Sequence, residues 1–255
     1  MIKMEEKTII VFLKYNNTDF FGRRELFNEG TIIWAGHTIF FAIGENDPGW
    51  DEILVVSFSE ENYYSNIIEQ LANEQRLSYY KILLVGRYPQ AVIDRVNKMS
   101  YRESLVETTK GEVSEETGGI NPTKEQYDLL LRRDKDKPIV LFNIVKYRDM
   151  AEYPEGYDGK KNITGKEAYK LYGLNSAKIQ GMPMVNVKMD LAGENIATIV
   201  GDNEPEWEHY FFARYPSLEH CLNMWNSKVY QQGVIHRTAA LEKSYVWAIT
   251  PYEDP

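Results

Sequence analysis

Apolar residues in this chain cluster in short runs separated by polar, turn-forming stretches. Ile9 to Lys14, Thr31 to Ile43, Trp50 to Phe58 and Tyr79 to Val85 are rich in β-branched and aromatic residues, the composition of strands. Gly36 marks a bulge within the second run. Between the first two runs, Phe20 to Asn28 reads as a short helix stopped by Gly30. Asn46-Asp47-Pro48-Gly49 is dense turn chemistry. After Ser59, a plausible N-cap, Ile67, Ile68 and Leu71 recur at helical spacing and predict a helix to about Asn73. The order is β-α-β-β-α-β, a split βαβ unit of ferredoxin-like type.

The succession then returns. Strands are predicted near 138–147, 184–200, 207–215 and 243–250, with a longer first helix from Thr164 to Gln180 and a second starting at Ser217. Thr164 followed by Glu167 is a capping box. Residues 110–119 are polar and end in glycine, the composition of a linker, and Asn121-Pro122-Thr123 opens a helix through about Arg133 with Pro122 in its first turn. Residue identities repeat as well as patterns. Ala35 to Trp50 and Ala192 to Trp207 agree at seven of sixteen positions at a constant offset of 157, including Gly44/Gly201, Asn46/Asn203, Pro48/Pro205 and Trp50/Trp207. The two tryptophans are expected to anchor the turn before the third strand of each copy. The reading is α+β: a first ferredoxin-like domain at 1–100, a linker at 101–120 and a second domain at 121–255.

Five segments of the second copy, NPTKEQYDLLL, KPIVLFNIVKYRD, GKEAYKLYG, AGENIATIVGDNEPEWEHYFFARYPS and HRTAAL, resemble a bacterial domain family of unknown function in the dimeric α/β-barrel superfamily. GTIIWAGHTIFFAIG and WDEILVVSFS in the first copy resemble that family's second and third strands more loosely. The resemblance implies a tandem fusion with a degenerate first copy. Members usually pair with their sheets face to face, so two fused copies would close a pseudo-dimeric barrel within one chain, either self-contained or associating further as a homodimer. The superfamily includes cofactor-free monooxygenases, muconolactone isomerase and haem-binding relatives, and its fold alone assigns no reaction.

Charge narrows the partners. Lys and Arg number 29 against 38 Asp and Glu, a net charge of -9 that disfavours phosphate backbones, so no nucleic-acid partner is expected. No run of 18 apolar residues predicts a membrane span, and the single Cys221 excludes an internal disulfide; the expected location is cytoplasmic. Zinc spacings, the P-loop and the dinucleotide fingerprint are absent, so neither metal nor cofactor is expected. Haem through His236 or His209 rests on superfamily analogy alone.

Candidate chemistry concentrates in the second copy. The helices of a ferredoxin-like unit cover one sheet face, so polar residues on the other, barrel-facing side are the informative ones. Asn143 interrupts the apolar run 140–145 where the first copy has Val11, and its amide suits a substrate carbonyl. Arg214, where the first copy has Ser57, suits a carboxylate or enolate. His236 is a candidate general base beside Arg237, and Tyr169 and Tyr172 share a helix face from which their phenols could orient a substrate. Each also has a structural reading. Asn143 could pair with backbone, Arg214 with a surface acid such as Glu208, His236 with helix-end carbonyls, and the tyrosines could be core. The expected site is therefore catalytic His236, Arg214 and Asn143 with substrate-binding Tyr169, Tyr172 and Arg237, inside a barrel pocket. The implied activity is cofactor-independent oxygenation, isomerisation or proton transfer on an apolar or aromatic oxygenated small molecule. A non-catalytic binding protein, or a structural dimerisation module with an aromatic-filled barrel, stays open beside it.

Overall fold

The computed structural model describes residues 5–16, 27, 30–58, 63–98, 119–201 and 207–252. Its strands are β1 Glu5–Tyr15, β2 Thr31–Ile43, β3 Glu52–Ser57, β4 Leu77–Arg87, β5 Ile139–Tyr147, β6 Lys188–Val200, β7 His209–Tyr215 and β8 Leu241–Pro251. Six described helices accompany them: α1 Tyr63–Ala72, α2 Gln90–Lys98, α3 Lys124–Leu131, α4 Gly165–Ala177, α5 Leu218–Trp225 and α6 Lys228–Ala240. The predicted helix 20–28 apart from Phe27, the Ser59 cap and most of the 110–119 segment lie outside the described residues.

All eight strands join antiparallel in one closed barrel, in the order β1-β3-β2-β8-β5-β7-β6-β4, with β4 returning to β1. Closure removes both free sheet edges. Strands β1, β3 and β5 read as nearly continuous apolar runs because both of their faces are covered. Ile10 and Phe12 point into the barrel, while Ile9, Val11 and Leu13 point out beneath the helices. Every strand sends side chains to the interior, where Phe142 stacks on Phe212 at 4.3 Å and on Trp247 at 5.6 Å, and Phe12 meets Trp50, Phe142 and Trp247. The barrel is thus a packed core of interleaved aromatics, each worth about 2–3 kcal/mol when fully buried.

The repeated sequence positions make repeated bonds. The N–H of Tyr15 donates to the Asp51 carboxylate at 2.8 Å, and the N–H of Tyr147 to Glu208 at 2.7 Å. Asp51 N–H donates to the Leu13 carbonyl, and Glu208 N–H to that of Val145. Gly44 and Gly201 both sit at positive φ, +126° and +112°, which only glycine holds without strain. The two seams joining residues 5–87 to residues 139–251 also correspond. Gly36 lies opposite Pro251 on β2–β8, and Gly193 opposite Arg87 on β6–β4. Tyr88 N–H donates to the Ala192 carbonyl at one seam, and Tyr252 N–H to the Ala35 carbonyl at the other. A Cβ on Gly193 would stand 2.0 Å from the Gly86 carbonyl oxygen, and one on Gly36 would stand 2.9 Å from that of Thr250, so both seams need the bare backbone.

Several expectations are corrected. Thr123, not Pro122, starts α3: it is the N-cap of a full capping box with Gln126, and Pro122 precedes the cap. Two helices were not foreseen. α2 follows Pro89 directly, and the helix expected from Ser217 ends at Trp225. There Ser227 caps a second one, α6, its Oγ accepting from Tyr230 N–H at 3.1 Å. Trp50 and Trp207 do more than anchor turns: both are buried in the barrel core and line a cavity of about 200 Å³ at one end. Among the described residues no helix is long and apolar enough to cross a membrane.

Candidate functional site

A mainly apolar cavity lies outside the barrel, between the outer face of β5, β7 and β8 and helices α4 and α6. It measures about 470 Å³, well within the range of small-molecule sites. Strand parity sets its wall. On β7, His209, Phe211, Ala213 and Tyr215 face the helices, while Tyr210 and Phe212 face the barrel core. On β5, Leu141 and Asn143 face the cavity between the inward Phe142 and Ile144. The barrel-facing pocket expected from the sequence is mostly filled, and the open volume is on the opposite side of the sheet.

α4 begins at the capping box of Thr164 and Glu167, whose carboxylate also accepts from the Thr164 N–H at 2.9 Å. A Cβ on Gly165 would meet the carbonyl oxygens of Arg148 and Ala240 at 2.3 and 2.5 Å, so α4 starts in close contact with the end of α6. α4 and α6 then pack side by side over the sheet, with Gly233 against Asn175.

Four of the six expected residues come together here. Asn143, Tyr169, Tyr172 and Arg237 all line the cavity. Asn143 is buried, and its Nδ2 donates to the Leu141 carbonyl at 3.0 Å, so the backbone pairing weighed from sequence is present. Its Oδ1 makes no hydrogen bond among the described residues. The Tyr172 hydroxyl donates to that of Tyr230 at 3.3 Å, and the Tyr169 ring lies 5.3 Å from that of Tyr172. Burial pushes the phenols of Tyr169 and Tyr230 above their ordinary range, with Arg237 partly offsetting the rise at both, so they stay neutral donors.

Arg237 is the unusual member. Only 2% of it is exposed. Nη2 donates to Ser244 Oγ at 2.8 Å, and the guanidinium carbon stands 5.9 Å from the centre of the Tyr172 ring. Nη1 is buried with no hydrogen-bond partner, and no carboxylate pairs with the group among the described residues. An uncompensated charge at that depth is strongly destabilising.

The other two expected residues lie elsewhere. Arg214 falls on the barrel-facing side of β7, where Nε and Nη2 grip the Asp190 carboxylate at 2.6–2.9 Å, and Trp34 Nε1 donates to the same carboxylate at 3.2 Å. It pairs with Asp190, not the Glu208 weighed from sequence. His236 lies on α6 outside the cavity, its Nδ1 2.8 Å from the Tyr153 hydroxyl and its ring edge-on to Tyr153 and Tyr157. Partial burial lowers its pKa.

Sequence reasoning weighed His209 only as a haem ligand by analogy, not as a catalytic or substrate-binding residue. It lines the cavity from the first position of β7, diagonal across the ladder to Asn143. Burial lowers its pKa to about 4, against the opposing pull of Glu194 and a hydrogen bond to the Gly193 backbone, so its imidazole is neutral at pH 7. A signal existed in the repeat. Glu194 and His209 are paired across β6–β7, and His37 and Glu52 hold the same register across β2–β3 with the two residue types exchanged. No group of three or more His, Cys, Asp or Glu that could hold a metal ion occurs among the described residues.

No family model matches the chain, and no curated protein matches it. Among solved structures it is similar to the RPA0582 protein of unknown function from Rhodopseudomonas palustris, at 32% identity over 52% of this chain and 97% of that one, with a TM-score of 0.47. A putative monooxygenase from Lactobacillus acidophilus NCFM aligns over 96% of this chain and 92% of its own at 12% identity and a TM-score of 0.44. A dye-decolorizing protein from V. cholerae aligns over 97% of this chain and 96% of its own at 10% identity and a TM-score of 0.37.

Proposed function

We propose that the chain is a tandem pair of ferredoxin-like units, 1–100 and 121–255 joined through 101–120, and that the second unit binds a small, largely apolar, oxygenated molecule between its sheet and helices. The tandem reading is supported by the matched bonds of Tyr15 and Tyr147 and by the reciprocal seam bonds of Tyr88 and Tyr252. The binding reading rests on one observation: a cavity of about 470 Å³ with a mainly apolar wall into which Asn143, His209, Tyr169 and Arg237 bring a few polar groups. Native mass spectrometry of freshly purified protein, followed by a screen of small aromatic and aliphatic oxygenated compounds, tests it. Binding that is lost when Ala213→Trp fills the cavity supports the reading. Binding unaffected by that variant removes it.

A second reading, catalysis by proton transfer, is favoured by His209. With one ring nitrogen engaged by the Gly193 carbonyl, its neutral imidazole offers the other as an acceptor beside Asn143. Under this reading His209 replaces His236 as the proton acceptor, and Arg214 takes no part. Recovery of the bound compound chemically unaltered after prolonged incubation with wild-type protein would leave binding alone.

A further inference from the structure

Among the described residues lining the cavity, Arg237 is the one with a fully buried nitrogen that lacks a hydrogen-bond partner. Asn143 Nδ2 is held by backbone, Tyr172 and Tyr230 hold each other, and His209 is engaged by Gly193. Arg237 is almost completely buried, carries a permanent charge, and has a single hydrogen bond to a neutral hydroxyl. Among the described residues, no Asp or Glu lines the cavity. The phenols of Tyr169 and Tyr230 cannot supply the missing anion either, because burial keeps them protonated. A guanidinium with one edge fixed on Ser244 and a buried, unpaired Nη1 is a preorganised half of a charge-assisted hydrogen-bond pair.

We infer, resting on the binding site proposed above, that the ligand is a monocarboxylate: its carboxylate pairs with Arg237, and its apolar body lies against Leu141, Phe211 and Val246. One buried cation matches one negative charge. Among the described residues of the lining, a doubly charged phosphate would find its second cation in the exposed Lys170. The apolar remainder of the wall excludes a polyanion on the same ground, since it offers nothing to replace the water such a group loses.

Calorimetric titration of wild-type protein with three matched pairs tests the inference: benzoate and benzamide, 2-naphthoate and 2-naphthamide, octanoate and octanamide. The expected result is that at least one carboxylate binds ten-fold or more tightly than its amide. The preference should vanish in Arg237→Met and persist in reduced form in Arg237→Lys. A role confined to folding makes a different forecast. Ligand-free Arg237→Met would then melt below wild type, whereas relief of an unpaired buried charge keeps its melting temperature equal or raises it. Equal affinity for acids and amides in wild type overturns the charge assignment and leaves the cavity reading standing. If no compound of either kind binds, both readings fall. The wild-type comparison decides the matter even where a variant fails to fold.

Discussion

On the outer face of β1, Val11 is fully buried among Ile9, Leu13, Leu54, Val56 and Ile82, with α1 packed above through Ile67 and Leu71. At the corresponding point on β5 stands Asn143, and the space above it is open. The backbone beneath the two residues is the same, down to the carboxylates of Asp51 and Glu208 that accept the Tyr15 and Tyr147 N–H groups. The contrast comes from side-chain volume and from one added helix. Ala213 and Ser244 take the places that Val56 and Tyr80 hold in the first half, and α6 has no described counterpart there. A shared frame therefore fixes where a cavity can form, and a few local substitutions decide whether it does.

The sharpest way to break this comparison is to attack what both halves share. Phe142→Ala removes a ring stacked on Phe212 and Trp247, and should cost about 3–5 kcal/mol. Because the interior is common, chemical denaturation should show one transition moved as a whole. Two separate transitions would mean that the halves fold as independent units.

The seams come next. Gly193→Ala should destabilise by about 1–3 kcal/mol, since its Cβ meets a carbonyl oxygen at 2.0 Å. Gly36→Ala should cost less, because its nearest obstacle, Ile249 Cγ2 at 2.4 Å, is a side-chain methyl that can turn away. Equal losses in thermal melts would show that the seams are not distinguished by backbone contact.

The half-buried imidazole of His209 is a comparable effect read along pH. The pKa of His209 is about 4 in the folded chain, below its ordinary value of about 6.5, so the unfolded chain binds the extra proton first as pH falls. Its contribution is complete above pH ~6.5 and fades down to pH ~4, a loss on the order of 2–3 kcal/mol. His209→Gln should flatten that slope in urea titrations across the window. An unchanged slope would assign the pH dependence to other groups.

The smallest expected effect on stability sharpens the comparison most. Asn143→Val copies the first half into the second and should change stability by less than ~1 kcal/mol, since the amide makes a single hydrogen bond and the replacement is apolar. Ligand binding should nevertheless weaken at least ten-fold by titration. If the variant binds as well as wild type, the asymmetry at this position has no bearing on the site.

Much of this architecture was legible in the chain. Runs of β-branched and aromatic residues located all eight strands, and the offset of 157 between Trp50 and Trp207 announced that the second set would follow the first. The capping box at Thr164 marked α4, because a cap is local chemistry. α6 escaped since its sequence, KVYQQGVIHRTAA, has almost no apolar face by composition: it is held by close packing on α4 through Gly233 and by the burial of Arg237, neither of which leaves a periodic signal. The side of the sheet on which the site opens was also hidden. Alternation along β5 separates Phe142 from Asn143, yet it does not say which of the two looks toward the barrel. Arg214, on the barrel-facing side of β7, and His236, on α6, lie away from the cavity, and neither placement could be read from residue type alone.

The two seams carry a last consequence. A barrel made from two separate identical chains would repeat every substitution, so an Asn143 in one wall would force an Asn into the other and expose the fold to its cost twice. Here both seams, at Gly36 and Gly193, join parts of the same polypeptide. The barrel can close without a bimolecular step, and its closure need not depend on how much protein is present. One wall is then free to hold an unpaired buried cation while the other stays solid and bears the load of keeping the molecule folded.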